Sequence, residues 1–280
     1  MGILSFLKPG RITSKWTFTA KGVIWRVLFS ENGVIIGEDR DEEEKSLVYF
    51  CLDELSGKVL WREKKYEKEW WSGIETIDGN TLFIHGYASP DMPENKGIVA
   101  LDIFSGRVLW ENPGLRLLSA YKGIIVAEGY YFGKRIFCRL DSKSGIIQEE
   151  SADRNKFDNL HDLGIDERRY TFPVTLISGE GEQGKIIYEH VNTEELIGSV
   201  EFIEHDDMLL FNYYEKNVKL TQNRDTLNNY FKIVSIANKR LIFSETLNTD
   251  VSYPVPDAFF FHDELLFYIK DRSILTAVRL

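Results

Sequence analysis

Two stretches of the chain are near copies of each other. Residues 51–61 read CLDELSGKVLW and residues 100–110 read ALDIFSGRVLW. A worn copy, CRLDSKSGIIQE, occupies 138–149, and a weaker one, IVSIANKRLIF, occupies 233–243. Repetition at this period constrains the fold more than any other feature, because each repeat is a supersecondary unit that buries its apolar face only against its neighbours. Aligned on the Asp, the units mark Asp53, Asp102, Asp141 and, with Ser in place of Asp, Ser235; the steps are 49, 39 and 94 residues. The last is two steps of 47, which predicts a degenerate copy near residue 188, and the strand-like GKIIYEHVN at 184–192 is assigned to it.

Each unit has a local physical meaning. An apolar strand ends at Leu-Asp, a few turn residues lead to Ser-Gly, and a second strand begins at the following Lys or Arg. Gly57, Gly106 and Gly145 supply the left-handed residue that a short hairpin loop requires. The strand running into WREKKYEKE (61–69) turns charged, as an exposed sheet edge does to resist pairing with other chains. A second ladder of polar turns, at 31–33, 78–80, 121–123, 164–166, 205–207 and 262–264, repeats at 41 to 57 residues. Six turns imply six units. Four short strands per unit, repeated radially, is the pattern of a β-propeller. Apolar residues alternate or run in short blocks rather than recurring at helical spacing.

The expected fold is therefore all-β: one propeller domain over residues 1–280, with six blades of four antiparallel strands and five or seven blades left open. SKWTFTA (14–20) places Trp16 where Trp61 and Trp110 stand in their units, so the amino-terminal strand is expected to complete the last blade beside ILTAVRL (274–280).

The unit A-x-D-x-x-S-G-[KR]-x-x-W resembles the tryptophan-docking repeat of pyrroloquinoline-quinone-type β-propellers. It is near-complete at Ala100–Trp110 and at Cys51–Trp61; the third copy keeps Asp141, Ser144 and Gly145 but has Glu149 in place of the Trp. The resemblance implies structural roles: the Trp packs between adjacent blades and the Gly allows the close turn. The quinoprotein dehydrogenases of that family have eight blades, an export signal and often adjacent cysteines, none of which the sequence matches, so no quinone or other cofactor is expected. The chain is also similar to bacterial propeller-like proteins of a family of unknown function.

Composition narrows the function. With 44 acidic against 34 basic residues the formal net charge is −10, which argues against nucleic acid, where affinity comes from phosphate neutralisation. Cys51 and Cys138 lie in apolar runs and are read as small buried hydrophobes. MGILSFLKPGR is too short in apolar residues for a secretory segment, and no run approaches a transmembrane helix, so a cytoplasmic protein is expected.

No catalytic or metal-binding constellation stands out. GEGEQGK (179–185) fits glycine-rich phosphate-loop patterns, but Ile186 stands where a Ser or Thr would hold magnesium and IIYEHV is read as strand, so a hairpin loop is expected. His161-Asp162, His205-Asp206-Asp207 and His262-Asp263-Glu264 are read as turn residues, and the acidic run at 38–44 as a solvated loop. The loops at 37–46, 86–96, 127–134, 178–184 and 214–229 would share one rim. They and their neighbours carry Tyr66, Trp70, Trp71, Tyr87, Tyr130, Tyr131 and Tyr253, the kind of aromatic that anchors a partner. The expected function is a non-catalytic binding or scaffold protein, taking a protein or small-molecule ligand on that rim through Trp70, Trp71, Tyr87, Tyr130, Tyr131 and Tyr253. The alternative is a hydrolase or lyase whose carboxylates converge with His85, His161, His190, His205 or His262 at a central channel.

Overall fold

The computed structural model describes residues 12–64, 69–89, 92–160, 169–217, 226–254 and 258–280. Most of these residues are strand. After β1 (Ser14–Thr19), the first four-stranded sheet runs β2 (Val23–Phe29), β3 (Val34–Asp41), β4 (Ser46–Asp53) and β5 (Val59–Lys64). The second is β6 (Ser72–Asp78), β7 (Thr81–Ser89), β8 (Met92–Asp102) and β9 (Val108–Asn112), and the third is β10 (Leu115–Tyr121), β11 (Ile124–Tyr131), β12 (Lys134–Asp141) and β13 (Ile147–Ser151). Two-residue strands β14 (Tyr170–Thr171) and β15 (Val174–Thr175) precede a seven-residue helix, α1 (Glu182–Tyr188). The fourth sheet follows with β16 (Leu196–His205), β17 (Met208–Asn217), β18 (Thr226–Ser235) and β19 (Leu241–Val251). The fifth has β20 (Phe259–His262), β21 (Leu265–Lys270) and β22 (Ile274–Val278).

Every sheet is antiparallel, and strands pair with their sequence neighbours except where β14 and β1 join the fifth sheet. β15 extends the fourth sheet beyond β16, and β14 extends the fifth beyond β20. β1 pairs with β22 through Trp16↔Ala277 and Phe18↔Leu275, placing the amino-terminal strand on the outer side of the last sheet. By backbone contacts the chain divides into two compact units, Ala20–Ile165 and Met1–Thr19 with Asp166–Leu280. In the first, Ile36, Tyr49, Cys51, Ile74, Leu82 and Ile103 pack the interior between the first two sheets. Phe83, Ala100, Ile125, Cys138 and Leu140 do the same between the second and third. In the second unit Phe231, Ile233, Phe259, Phe261 and Leu266 pack together.

The repeat is a turn with a fixed wiring. In the first sheet Asp53 Oδ1 accepts hydrogen bonds from the Ser56 amide at 2.8 Å and the Ser56 hydroxyl at 2.5 Å, while the Gly57 amide donates to the Asp53 carbonyl at 2.8 Å. Asp102 with Ser105 and Gly106, and Asp141 with Ser144 and Gly145, repeat this arrangement. Gly57, Gly106 and Gly145 have φ of 68°, 63° and 69°, as the loop requires. The Trp61 indole donates to the carbonyl of Ile103, the residue after Asp102, at 2.7 Å; the Trp110 indole donates to that of Ser142, the residue after Asp141, at 3.0 Å. Each of these tryptophans thus docks on the turn of the following sheet. A Cβ on Gly145 would stand 2.5 Å from the Trp110 ring, so that position needs glycine for two independent reasons. Trp61, Trp110 and Trp16 lie opposite the small residues Cys51, Ala100 and Ala277, an equivalent register in three sheets.

Four sequence expectations are corrected. Residues 184–192 are not a strand, and the hairpin loop expected at 179–185 is instead a turn that leads into a helix at Glu182. Gly184, Ile187, Tyr188 and Val191 follow helical spacing and turn one face inward as α1 and its exit, with Gly184 pressed against the backbone of Ser178 and Gly179. The described residues form five sheets, and the sheet expected around residue 188 is not among them; the turn at 164–166 lies outside the described residues. The acidic run is not a solvated loop either, because Glu38, Asp39 and Arg40 are buried strand residues of β3 and only the turn after Asp41 faces solvent. The other five polar turns join the first and second strands of their sheets as expected.

Candidate functional site

Three of the polar residues buried in the first unit occupy one repeated position. The fifth residue of the second strand is Glu38 in β3, His85 in β7 and Glu128 in β11, all buried. Each sits in an ionic network. Glu38 accepts from Arg40 Nε at 2.8 Å and from the Ile74 amide at 2.5 Å, which ties β3 to β6 of the next sheet. The same guanidinium donates to the carbonyls of Trp70, at 3.0 Å, and Ser72. Glu128 is gripped by both Arg116 and Arg135. His85 Nδ1 lies 2.5 Å from Glu75 Oε2, which also accepts from Asn95 at 3.1 Å. Gly73 holds the next gap: a Cβ there would come within 3.2 Å of both Glu38 Oε1 and His85 Nε2.

Protonation follows these contacts. Burial works to raise the Glu75 carboxyl, but the His85 hydrogen bond and the charges of His85, Arg26 and Arg116 outweigh it and leave the group below its ordinary range. A carboxylate held in that state donates no proton near neutrality. Burial pushes the Cys51 thiol up to about 12, aided by the Asp53 charge, and also raises the Cys138 thiol, so neither is a ready nucleophile. The Lys232 ammonium of the second unit is lowered by burial, yet it is fixed by donation to the His190 carbonyl at 2.6 Å and rests 5.1 Å from the Tyr213 ring. Glu38, Glu75 and Glu128 are thus held by cations, and Glu38 also by an amide of the next sheet.

The rim aromatics differ in their surroundings. Trp70 lies against Arg40 and Lys45, its ring 5.6 Å from the guanidinium and 4.7 Å from the ammonium, while Arg40 also faces Trp25, a ring that sequence reasoning missed because it lies within β2. Trp71 is exposed beside them in the chain. The Tyr87 ring meets His85 edge to face at 5.2 Å, so it belongs to the ionic network. Tyr253 stands exposed in the other unit. Tyr66 and His161 lie outside the described residues. Tyr130 and Tyr131 are 70% and 64% exposed at the end of β11, and the turn beyond them presents Phe132 at 88%. Phe132, the third consecutive aromatic in YYFGK, is not among the anchors expected from the sequence. The loops expected at 86–96 and 127–134 are long hairpins whose strands run almost to the tip.

Residues 29–110 match a family described as a domain of unknown function, DUF4905. No curated protein matches the chain. Among solved structures, the chain is similar to the β-propeller domain of the Trilobed protease from Pyrococcus furiosus, described as having an open velcro topology. The identity is 12% and the TM-score 0.31, over 88% of this chain and 64% of that one, so the chain spans less than two thirds of that structure. It is also similar to a complex of KlAtg21 with the coiled-coil of AgAtg16, at 8% identity and a TM-score of 0.29 over 89% of this chain and 67% of that one. Among the described residues no helix is long and apolar enough to cross a membrane.

Proposed function

We propose that residues 1–280 form one β-propeller domain, of which the five described sheets are blades, and that the protein is a non-catalytic binding or scaffold protein. The ends of its second and third strands are the working surface, with Tyr130 and Tyr131 the foremost anchors and Trp70, Trp71, Tyr87 and Tyr253 further candidates. One observation carries this reading: three consecutive aromatic side chains stand in solvent at the tip of an otherwise regular hairpin. Large aromatics left exposed on a rigid element are costly to solubility and are the usual anchors of recognition. The ion-paired state of Glu38, Glu75 and Glu128 weighs against the hydrolase or lyase alternative. A pull-down survey compares the full chain with two variants, Tyr130→Ser/Tyr131→Ser/Phe132→Asn and Trp70→Ala/Trp71→Ala. Loss of the same partners in at least one variant is expected. A full set of partners kept by both variants removes the reading.

A further inference from the structure

The hairpin tip between β11 and β12 has a geometry that narrows what it binds, and this step rests on the binding reading above. Tyr131 pairs with Lys134 and Tyr130 with Arg135, leaving Phe132 and Gly133 as a two-residue turn. Both turn residues have positive φ, 46° and 75°, the hairpin geometry that favours Asn-Gly and disfavours a bulky aromatic at the first position. Phe132 is therefore kept at a local conformational cost, in the most exposed place on the hairpin. Strained residues of this kind concentrate at working surfaces.

Successive strand residues point to opposite faces. Tyr130 with Arg135 thus occupies one face, Tyr131 with Lys134 the other, and Phe132 the end, its ring 4.6 Å from that of Tyr131. A flat protein surface meets one face and leaves the other ring in water. A medium that surrounds the tip covers all three rings at once. From Phe132 back to Tyr130 is two residues, roughly 7 Å at about 3.3 Å per residue, which matches the 5–10 Å to which interfacial elements enter the boundary of a bilayer. Phe leads, the tyrosines follow, and Lys134 stands opposite Tyr131, where it can reach headgroups while the rings sit at the interface; Arg135, opposite Tyr130, is held by Glu128. Arg135 shares Glu128 with Arg116, so these three with Lys134 leave the hairpin locally positive in a chain of net charge −10.

We propose that this tip is a membrane-interface anchor that inserts Phe132, Tyr130 and Tyr131 into the headgroup boundary of an anionic lipid bilayer. The chain does not span the membrane there; it rests on it through one hairpin. Such a small element gives weak, reversible and salt-sensitive binding.

Co-sedimentation of the full chain with vesicles tests this, using phosphatidylcholine alone and phosphatidylcholine with phosphatidylserine as the minor lipid. Binding to the anionic vesicles is expected to be the stronger and to fall as salt rises. Phe132→Asn creates Asn-Gly, the preferred turn pair, so its unfolding midpoint should equal or exceed that of the parent while vesicle binding drops several-fold. The triple variant Tyr130→Ser/Tyr131→Ser/Phe132→Asn should lose about tenfold or more. A parent chain that sediments with neither vesicle, or a triple variant that sediments as well as the parent, overturns the proposal. If the parent ignores vesicles and the tip variant loses a protein partner, the membrane is wrong and the broader binding reading stands.

Discussion

The turn between the third and fourth strands is built in two ways. In the three sheets of the Ala20–Ile165 unit the carboxylate that organises it belongs to the turn itself, as Asp53, Asp102 and Asp141. In the fourth sheet that position is Ser235, and the carboxylate arrives from the hairpin before it. Asp207 accepts from the Ser235 hydroxyl and from the Ala237 amide, both at 2.9 Å. The left-handed residue survives as Lys239, with φ 57°, where the other sheets have glycine. The backbone ring closes as before, the Ser235 amide donating to the Arg240 carbonyl as Asp53 does to Lys58. The geometry is what the fold retains, and the residues that enforce it are interchangeable if a neighbouring loop supplies the missing group.

The comparison breaks most visibly at the docked tryptophans. Trp61→Ala should cost about 3–5 kcal/mol, because a buried ring and its bond to the Ile103 carbonyl are both lost; urea unfolding reads this, and a loss under about 1 kcal/mol would mean that the turns do not depend on the ring seated on them. Glu38→Gln comes next, at about 3 kcal/mol, since Arg40 is left buried without its anion. A neutral result would show that the ionic network does not tie the first sheet to the second. The two turn designs are compared by Asp141→Ala and Asp207→Ala, each expected to cost about 1 kcal/mol or less through lost hydrogen bonds. An Asp207→Ala chain as stable as its parent would show that the fourth turn holds without a carboxylate.

The smallest effect is a pH dependence. The Ser144 hydroxyl and amide hold the Asp141 carboxyl below the ordinary aspartate range, helped by the Lys143 amide and charge. A carboxyl lowered on folding stabilises the native state above its unfolded value, and that contribution is lost as the pH falls through the folded one. The stabilities of the parent and Asp141→Ala chains should therefore differ at neutral pH and converge in acid, as followed by unfolding across pH.

Much of this was legible in the sequence, for identifiable reasons. The Asp-x-x-Ser-Gly turns, their left-handed glycines and the strands around them are local, so short-range spacing places them correctly. The pairing of β1 with β22 was also readable, because Trp16 repeats the position of Trp61 and Trp110. α1 was missed because Ile186 and Ile187 are strand-favouring residues, and the helical spacing of Gly184, Ile187, Tyr188 and Val191 is decided by packing against the fourth sheet. Glu38 and Arg40 looked like surface charges because their partners, the amide of Ile74 and the carbonyls of Trp70 and Ser72, lie thirty or more residues away. Of the rim aromatics, Trp70 is engaged by Arg40, which only the folded chain brings near it.

The central claim is a division of labour between two kinds of aromatic, the docked tryptophans that hold the sheets and the tip residues that do not. Urea unfolding of Trp110→Ala beside Tyr130→Ser/Tyr131→Ser/Phe132→Asn tests it most directly. The account predicts a drop of about 3 kcal/mol for the first and no loss, or a small gain, for the second. A tip variant that unfolds as readily as the Trp110 variant would contradict it.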